Sequence, residues 1–120
     1  MRALIPLIAG ISLAACAHDK QPSMTFDQCG QAHVCHVEGF ATVEFAEPAL
    51  LARLALADGR CVDVSLPMTT IHAIGRRPRM MRVIGSVLPA LETNDPFTQI
   101  KVNGRLIGRG ACGDFLVFVD

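Results

Sequence analysis

The chain has 120 residues, of which 51% are hydrophobic and 18% charged, so it can build the core of one domain and is not disordered by composition. Eleven basic residues balance eleven acidic ones, and Trp and Tyr are absent. A chain without net charge or aromatic stacking platforms is a poor binder of nucleic acid, and we predict no such partner.

The first 15 residues have the layout of an export signal. Arg2 gives a positive start, and the apolar stretch from Ala3 to Leu13 is followed by small residues. This stretch is shorter than the ~20 residues needed to span a bilayer core, but it matches the apolar part of a signal peptide. A buried helix or strand is the alternative, although Pro6 and Gly10 weaken a helix there. We therefore predict a cleaved signal peptide over residues 1–15.

The segment Leu13-Ala14-Ala15-Cys16 resembles the lipobox of bacterial prolipoproteins. That resemblance implies a diacylglyceryl group on the Cys16 sulfur, cleavage just before Cys16 and acylation of the freed amine. Ordinary cleavage after Ala17 is the competing interpretation. In Gram-negative members of that family, Asp after the cysteine favours inner-membrane retention. Ala17 therefore implies a cell-envelope protein on the periplasmic face of the outer membrane if the host is of that kind, with the membrane as partner through its lipid anchor.

The segment behind the lipobox is mostly polar. Residues 17–28 lack sustained periodicity, which predicts a flexible spacer. We place a lipidated tether with a disulfide loop at residues 16–35 and a β-barrel-like domain at residues 36–120.

Four further cysteines would lie in an oxidising compartment after export, which favours disulfides. Four cysteines allow three connectivities, and the sequence does not decide between them. We favour Cys29–Cys35 as a local link and Cys61–Cys112 as a long one. Closing the longer loop would contribute roughly 4 kcal/mol on the chain-entropy model.

The segment Cys29 to His36 also offers a metal-binding alternative. Cys29, His33, Cys35 and His36 are residue types that bind zinc or copper. Thiolate binding must compete with oxidation in this compartment, so a disulfide-closed loop with exposed histidines is preferred. The spacing of the two cysteines does not fit attached haem, and we predict no cofactor.

Two hairpins are indicated by their turn residues. A two-residue loop at Asp58-Gly59 would split the apolar residues between two faces, whereas a three-residue loop, Ala57 to Gly59, pairs Leu54 with Val62 and gathers them on one face. Asn103-Gly104 is typical of a type I′ turn.

The other segments read as strands and one short helix. In residues 37–46 the apolar positions change face, so Gly39 would mark a bulge. Thr69 to Gly75 forms a short helix or a turn, with His72 structural or at the surface. Met80 to Leu88 reads as a mostly buried strand. Phe115 to Val119 reads as a central or inner barrel strand that must be covered.

One basic cluster comprises Arg76, Arg77, Arg79 and Arg82. A run of this kind is usually a solvated loop that keeps a strand edge from pairing with other chains. Near a lipid anchor it could also meet lipid phosphate or another anionic polymer.

This order predicts a mainly β fold, a small five- to six-stranded barrel with at most one short helix. The order resembles the oligonucleotide/oligosaccharide-binding (OB) fold of small periplasmic proteins, with Met81 to Val87 in place of the fourth strand. A β-sandwich or lipocalin-like half barrel is the alternative. No binding residues of that family carry over, because its aromatic groove residues have no counterparts here.

The sequence favours a binding or accessory module for an envelope protein or small ligand. A hydrolase-inhibitor lipoprotein and metal binding through Cys29 to His36 are the alternatives. We predict no enzyme, because the catalytic motifs of hydrolases and metalloproteases are absent. Asp63 and Asp114 lie nearest the long disulfide, but nothing in the sequence pairs them with a base.

Overall fold

The computed structural model describes residues 22–46, 49–89, 100–113 and 115–120. Cys16 and the signal segment lie outside them, as does Asp114. The described residues form the elements α1 Phe26–Gly30, β1 Val34–Ala46, β2 Ala49–Ala55, β3 Cys61–Ser65, α2 Met68–Arg76, β4 Arg79–Pro89, β5 Ile100–Val102, β6 Arg105–Ile107 and β7 Phe115–Phe118.

Five strands close into a barrel in the order β1-β2-β3-β7-β4, with β4 pairing back to β1. The β3–β7 contact is parallel and the other contacts are antiparallel. Helix α2 connects β3 to β4. The predicted OB-like barrel is therefore confirmed, and the residues expected to form its fourth strand lie in β4.

The barrel interior is filled by aliphatic side chains from every strand. Val37, Leu54, Val64 and Val117 are each fully buried there. Ile71 and Ile74 of α2 join the same core, while His72 between them is exposed. Of the two structures predicted for Thr69 to Gly75, a short helix or a turn, the helix is present, and its two isoleucines lie three positions apart, which puts them on one face.

Both predicted hairpins are confirmed. Leu54 pairs with Val62, and Gly59 has φ 88°, as a three-residue loop with a left-handed glycine requires. In the other hairpin Asn103 has φ 47° and Gly104 φ 82°, the positive values of a type I′ turn.

Strand β1 contains no bulge, so the prediction at Gly39 is wrong. Its registers with β2 and β4 run without interruption. A Cβ on Gly39 would lie 2.6 Å from the carbonyl oxygen of Ala55, so the glycine allows close approach inside the barrel. Because the strand keeps period two, Phe40 points outward and is 44% exposed.

The prediction of a mostly buried strand at Met80 to Leu88 is also wrong. Val83 faces the core, but Met80 is 60% and Ile84 61% exposed. Strand β4 has one buried side and one outward side that is open to solvent. Its apolar residues suggest burial on both faces, but hydrophobicity alone does not bring a second layer onto the strand.

The folded unit begins earlier than the predicted spacer allows. Thr25 caps α1 through a capping box with Gln28, and Phe26 is buried against Phe115 at 4.9 Å between ring centroids. The backbone N–H of Met24 donates to the carbonyl oxygen of His36 at 2.8 Å. The segment before β1, residues 24–33, thus lies against the barrel, because the aromatic side chain of Phe26 anchors it there.

Candidate functional site

The outward side of β2, β3 and β7, which we call the covered face, is overlaid by the chain itself. Leu51, Ile107, Leu116 and Phe118 form a second buried cluster outside the barrel. Ile107 comes from the β5–β6 hairpin, which therefore supplies the cover that β7 was expected to need.

Arg105 fastens the β5–β6 hairpin to the barrel. Its guanidinium lies 4.5 Å from the centre of the Phe118 ring, within the range of a cation–π contact. It also donates a hydrogen bond of 2.6 Å to the carbonyl oxygen of Val119 and reaches Ser65. The hairpin is held by both apolar and polar contacts.

Residues 108–113, which we call the strap, continue from the hairpin across β3. The disulfide Cys61–Cys112 joins strap and strand with a Cα–Cα distance of 5.3 Å. The Cys112 N–H donates to Asp63 Oδ2 at 2.9 Å. A Cβ on Gly110 would overlap the Asp63 carboxyl, so only glycine permits this approach.

Under the strap lies a pair of carboxyl groups. Asp63 is 2% exposed, and Glu44 of β1 reaches it across the sheet, with carboxyl oxygens within 4.8 Å of each other. The Ala111 N–H donates to Glu44 Oε1 at 2.9 Å. Neither Asp63 Oδ1 nor Glu44 Oε2 accepts a hydrogen bond from another described group. The side chains of Asp63 and Glu44 interact by a hydrogen bond as well as through their charges.

The surroundings keep Asp63 protonated. Burial raises the pKa of this carboxyl, and the neighbouring Glu44 raises it further, from 3.8 to about 8. The Cys112 N–H and the positive charge of Arg53 lower the pKa by less. At neutral pH most Asp63 side chains carry a proton that can be donated to Glu44.

The cleft that adjoins this carboxyl pair is narrow. It is bounded by Leu88, Ile107 and Phe115 and leaves about 20 Å³ for the centre of a water-sized sphere, enough for one water molecule. Cys112 stands beside the pair, and its sulfur is bonded to Cys61. Through the hydrogen bonds from Ala111 and Cys112, the pair links the strap to the sheet.

The predicted disulfide pairings are both present in the structure. Cys29 and Cys35 are bonded with a Cα–Cα distance of 4.9 Å, and both are fully buried. Cys61 is bonded to Cys112. Each link ties an element outside the barrel, α1 or the strap, to a barrel strand.

The alternative metal site at Cys29, His33, Cys35 and His36 is not assembled. The two sulfurs are bonded to each other, which removes the thiolate ligands. His33 is exposed, and the Nδ1 atom of the half-buried His36 has no hydrogen-bond partner. Within the described ranges, the only cluster of three ligand-type side chains is the one at Glu44, Asp63 and Cys112.

Glu44 is the member of this cluster that sequence reasoning missed. The sequence points to Asp63 through its closeness to the long disulfide, but the partner of Asp63 comes from β1. The closeness of Glu44 to Asp63 follows from the register of β1, β2 and β3. Thr42 pairs with Arg53 and Arg53 with Asp63, and Glu44 lies two residues after Thr42 on the same side of the sheet. The sequence alone leaves the β1–β2 register open, so it does not reveal this diagonal neighbour.

The outward side of β1 and β4, which we call the open face, contrasts with the covered face. Val34, Phe40, Met80 and Ile84 project from it, each more than two-fifths exposed. Glu38 and Arg82 stand opposite each other in the middle of this face. The exposed arginines 76, 77 and 79 lie where α2 leads into β4.

No protein-family model, curated protein or solved structure matches this chain significantly. In the part of the chain that the structure describes, no helix is both long and apolar enough to cross a membrane.

Proposed function

We propose that this protein is a small lipid-anchored lipoprotein of the cell envelope that acts as a binding or accessory module. The observation that carries this proposal is the pairing of the cysteines. Four of the five form the two disulfides, which leaves Cys16 in the lipobox-like segment. Structural disulfides persist in oxidising compartments, so this pairing supports export.

The form of the domain supports a module that presents surfaces. Its barrel is closed, its strap is fixed by the disulfide Cys61–Cys112, and the buried carboxyl pair has room for a single water molecule. Contact with an envelope protein or a small ligand would then be made by preformed exposed surface. The anchor would keep that surface close to the membrane.

Intact mass of the full-length gene product, purified from membranes with and without reduction, tests the proposal. The expected mass is that of a chain beginning at Cys16 with acyl groups added, and each disulfide should gain two hydrogens on reduction. Cys16→Ser should remove the acyl mass and leave both disulfides. As the matched control, Cys29→Ala with Cys35→Ala should keep the acyl mass.

If the mass of the wild-type protein is that of an uncleaved and unacylated chain, the proposal of a lipid anchor is wrong. Four free thiols in the same preparation would overturn the support that the disulfides give to export.

A further inference from the structure

We propose that the open face is a membrane-docking surface that lies against an anionic lipid leaflet and holds the barrel in one orientation. This inference rests on the proposed lipid anchor, because the partner of the open face would be the membrane that holds the anchor. The residues in contact with lipid would be Val34, Phe40, Met80 and Ile84.

The shape and composition of the open face fit a shallow interfacial contact. Its four apolar side chains come from two adjacent antiparallel strands, in which Phe40 stands opposite Met80 and Ile84 opposite His36. Strands β1 and β4 pair over eight residues here, a strip about 25 Å long at ~3.4 Å per residue. Exposed apolar groups that cluster in this way mark interaction sites.

The charges around this face select an anionic partner. Arg76 and Arg77 stand at its Met80 end, and Arg82 lies within it, whereas Arg79 pairs with the buried Ala41 and belongs to the other side of the strand. Glu38 is the single carboxylate among the described outward residues of the eight-residue pairing, and it stands opposite Arg82. A juxtamembrane arginine strengthens binding to an anionic leaflet about fivefold, the equivalent of ~1 kcal/mol.

The position of the described N-terminal segment brings the anchor to this side of the barrel. Met24 hydrogen-bonds to His36 on the edge of β1 that faces away from β4. At ~4.8 Å between neighbouring strands, Met24 lies about 10 Å from the backbone of Ile84. Six links separate Cys16 from Pro22, and fully extended they reach at most ~22 Å. The leaflet that holds Cys16 is therefore within short reach of the open face.

Docking through β1 and β4 would turn the covered face away from the membrane. In the barrel order, β3 lies across from the β1–β4 pair. The strap and the β5–β6 hairpin would then point into the aqueous space, where a soluble or envelope partner could reach them.

Because the chain contains no Trp or Tyr, single Trp substitutions report position without background. Ile84→Trp places the reporter on the open face. Leu106→Trp is the matched control, since Leu106 is 42% exposed on the β5–β6 hairpin. The full-length purified protein would be mixed with phosphatidylcholine vesicles, with or without phosphatidylglycerol, and with brominated lipids as quenchers.

On anionic vesicles, Ile84→Trp should shift its emission to shorter wavelength and be quenched several times more strongly than Leu106→Trp. Replacing Arg76 and Arg77 by Gln should weaken this docking up to about 25-fold, roughly fivefold for each arginine. High salt should weaken it as well, because it screens surface charges. Both arginines are exposed, so the double variant should keep its fold, which circular dichroism would check.

Two results would overturn the docking proposal. One is a water-like Ile84→Trp emission on anionic vesicles, whether or not the intact mass shows acylation. The other is a concentration-dependent blue shift without vesicles, which would mean that a second copy covers the face. If the proposed anchor is wrong, the intact mass will lack the acyl groups. Such an unacylated chain should still bind vesicles that contain phosphatidylglycerol and not vesicles of phosphatidylcholine alone.

Discussion

The covered and open faces are two outer sides of one barrel. Both carry apolar residues, which are buried on the covered face and exposed to solvent on the open face. On the covered face, Leu116 and Phe118 are buried by the chain's own β5–β6 hairpin. On the open face, Phe40 and Ile84 stay in solvent beside arginines. Both faces are built from strands of the same inner core, so local strand pattern alone does not decide which side a protein covers. The cover comes from an insertion between β4 and β7.

The largest expected effect on the free energy of unfolding comes from the disulfide of the strap, which belongs to the covered face. Removing Cys61–Cys112 by a double alanine substitution should lower the free energy of unfolding by about 4 kcal/mol, because the link closes a loop with a sequence separation of 51. Urea unfolding measures this loss, and hydrogen exchange should show the strap opening before the β1–β4 ladder. A loss below ~1 kcal/mol would contradict the loop-closure account, whereas a strap that exchanges as slowly as the ladder would show that Arg105 and the apolar cluster hold it without the disulfide.

Truncation of one apolar side chain on each face gives the next largest contrast. Leu116→Ala should lower the free energy of unfolding by about 2–5 kcal/mol, because it leaves a cavity under the hairpin. Ile84→Thr, which keeps a β-branched side chain, should change stability by less than ~0.5 kcal/mol. Thermal unfolding of the two variants checks this. Equal losses would show that the open face is also buried in solution.

A single methyl group added under the strap should have a smaller effect. Gly110→Ala should cost about 1–3 kcal/mol, because its Cβ would overlap the Asp63 carboxyl. Gly75→Ala is the control, since its Cβ would meet Val43 at 3.5 Å inside helix α2, and it should be neutral or slightly stabilising. If both alanine variants unfold alike in urea, the strap does not lie tightly on Asp63.

The last predicted contrast is a pH dependence that only the covered face should show. The folded pKa of Asp63 is about 8 and its ordinary value 3.8, so the folded state binds more protons between these values. The contribution of Asp63 to stability is therefore fully present below about pH 4 and is lost as the pH rises through about 8. At least ~1.4 kcal/mol, the equivalent of one pKa unit, should disappear between pH 5 and 8.

Asp63→Asn should flatten this pH dependence, because the amide can still accept from Cys112 and donate to Glu44 without ionising. Glu38→Gln, on the open face, should leave the slope as it is in the wild type. The check is the melting temperature of all three proteins at pH 5 and pH 8. The same slope in Asp63→Asn as in the wild type would contradict the protonated pair.

The sequence predicts the barrel well where turns fix the register. Gly59 and the pair Asn103-Gly104 require positive φ, and each sets one hairpin. Both favoured disulfides are present, although the four cysteines leave three connectivities open and the sequence does not decide between them.

The features that stayed hidden depend on contacts between distant strands. The pairing of Glu44 with Asp63 follows from the registers of β1, β2 and β3 taken together. The open face was missed because Ile84 and Met80 look the same in sequence whether solvent or another element lies beyond them. Hydrophobicity indicates a need for cover, and it does not say whether the chain meets that need itself.

Strand β7 has a consequence for the order in which the molecule assembles. Residues 115–118 fill the gap between β3 and β4, and Leu116 pairs with Asp63, more than fifty positions earlier. Without this segment, the edges of β3 and β4 that it pairs with stay exposed, and Cys112, the partner of Cys61, lies only three residues before it. The barrel can therefore close only after the last residues of the chain have reached it, so a chain that stops short of them keeps two open strand edges.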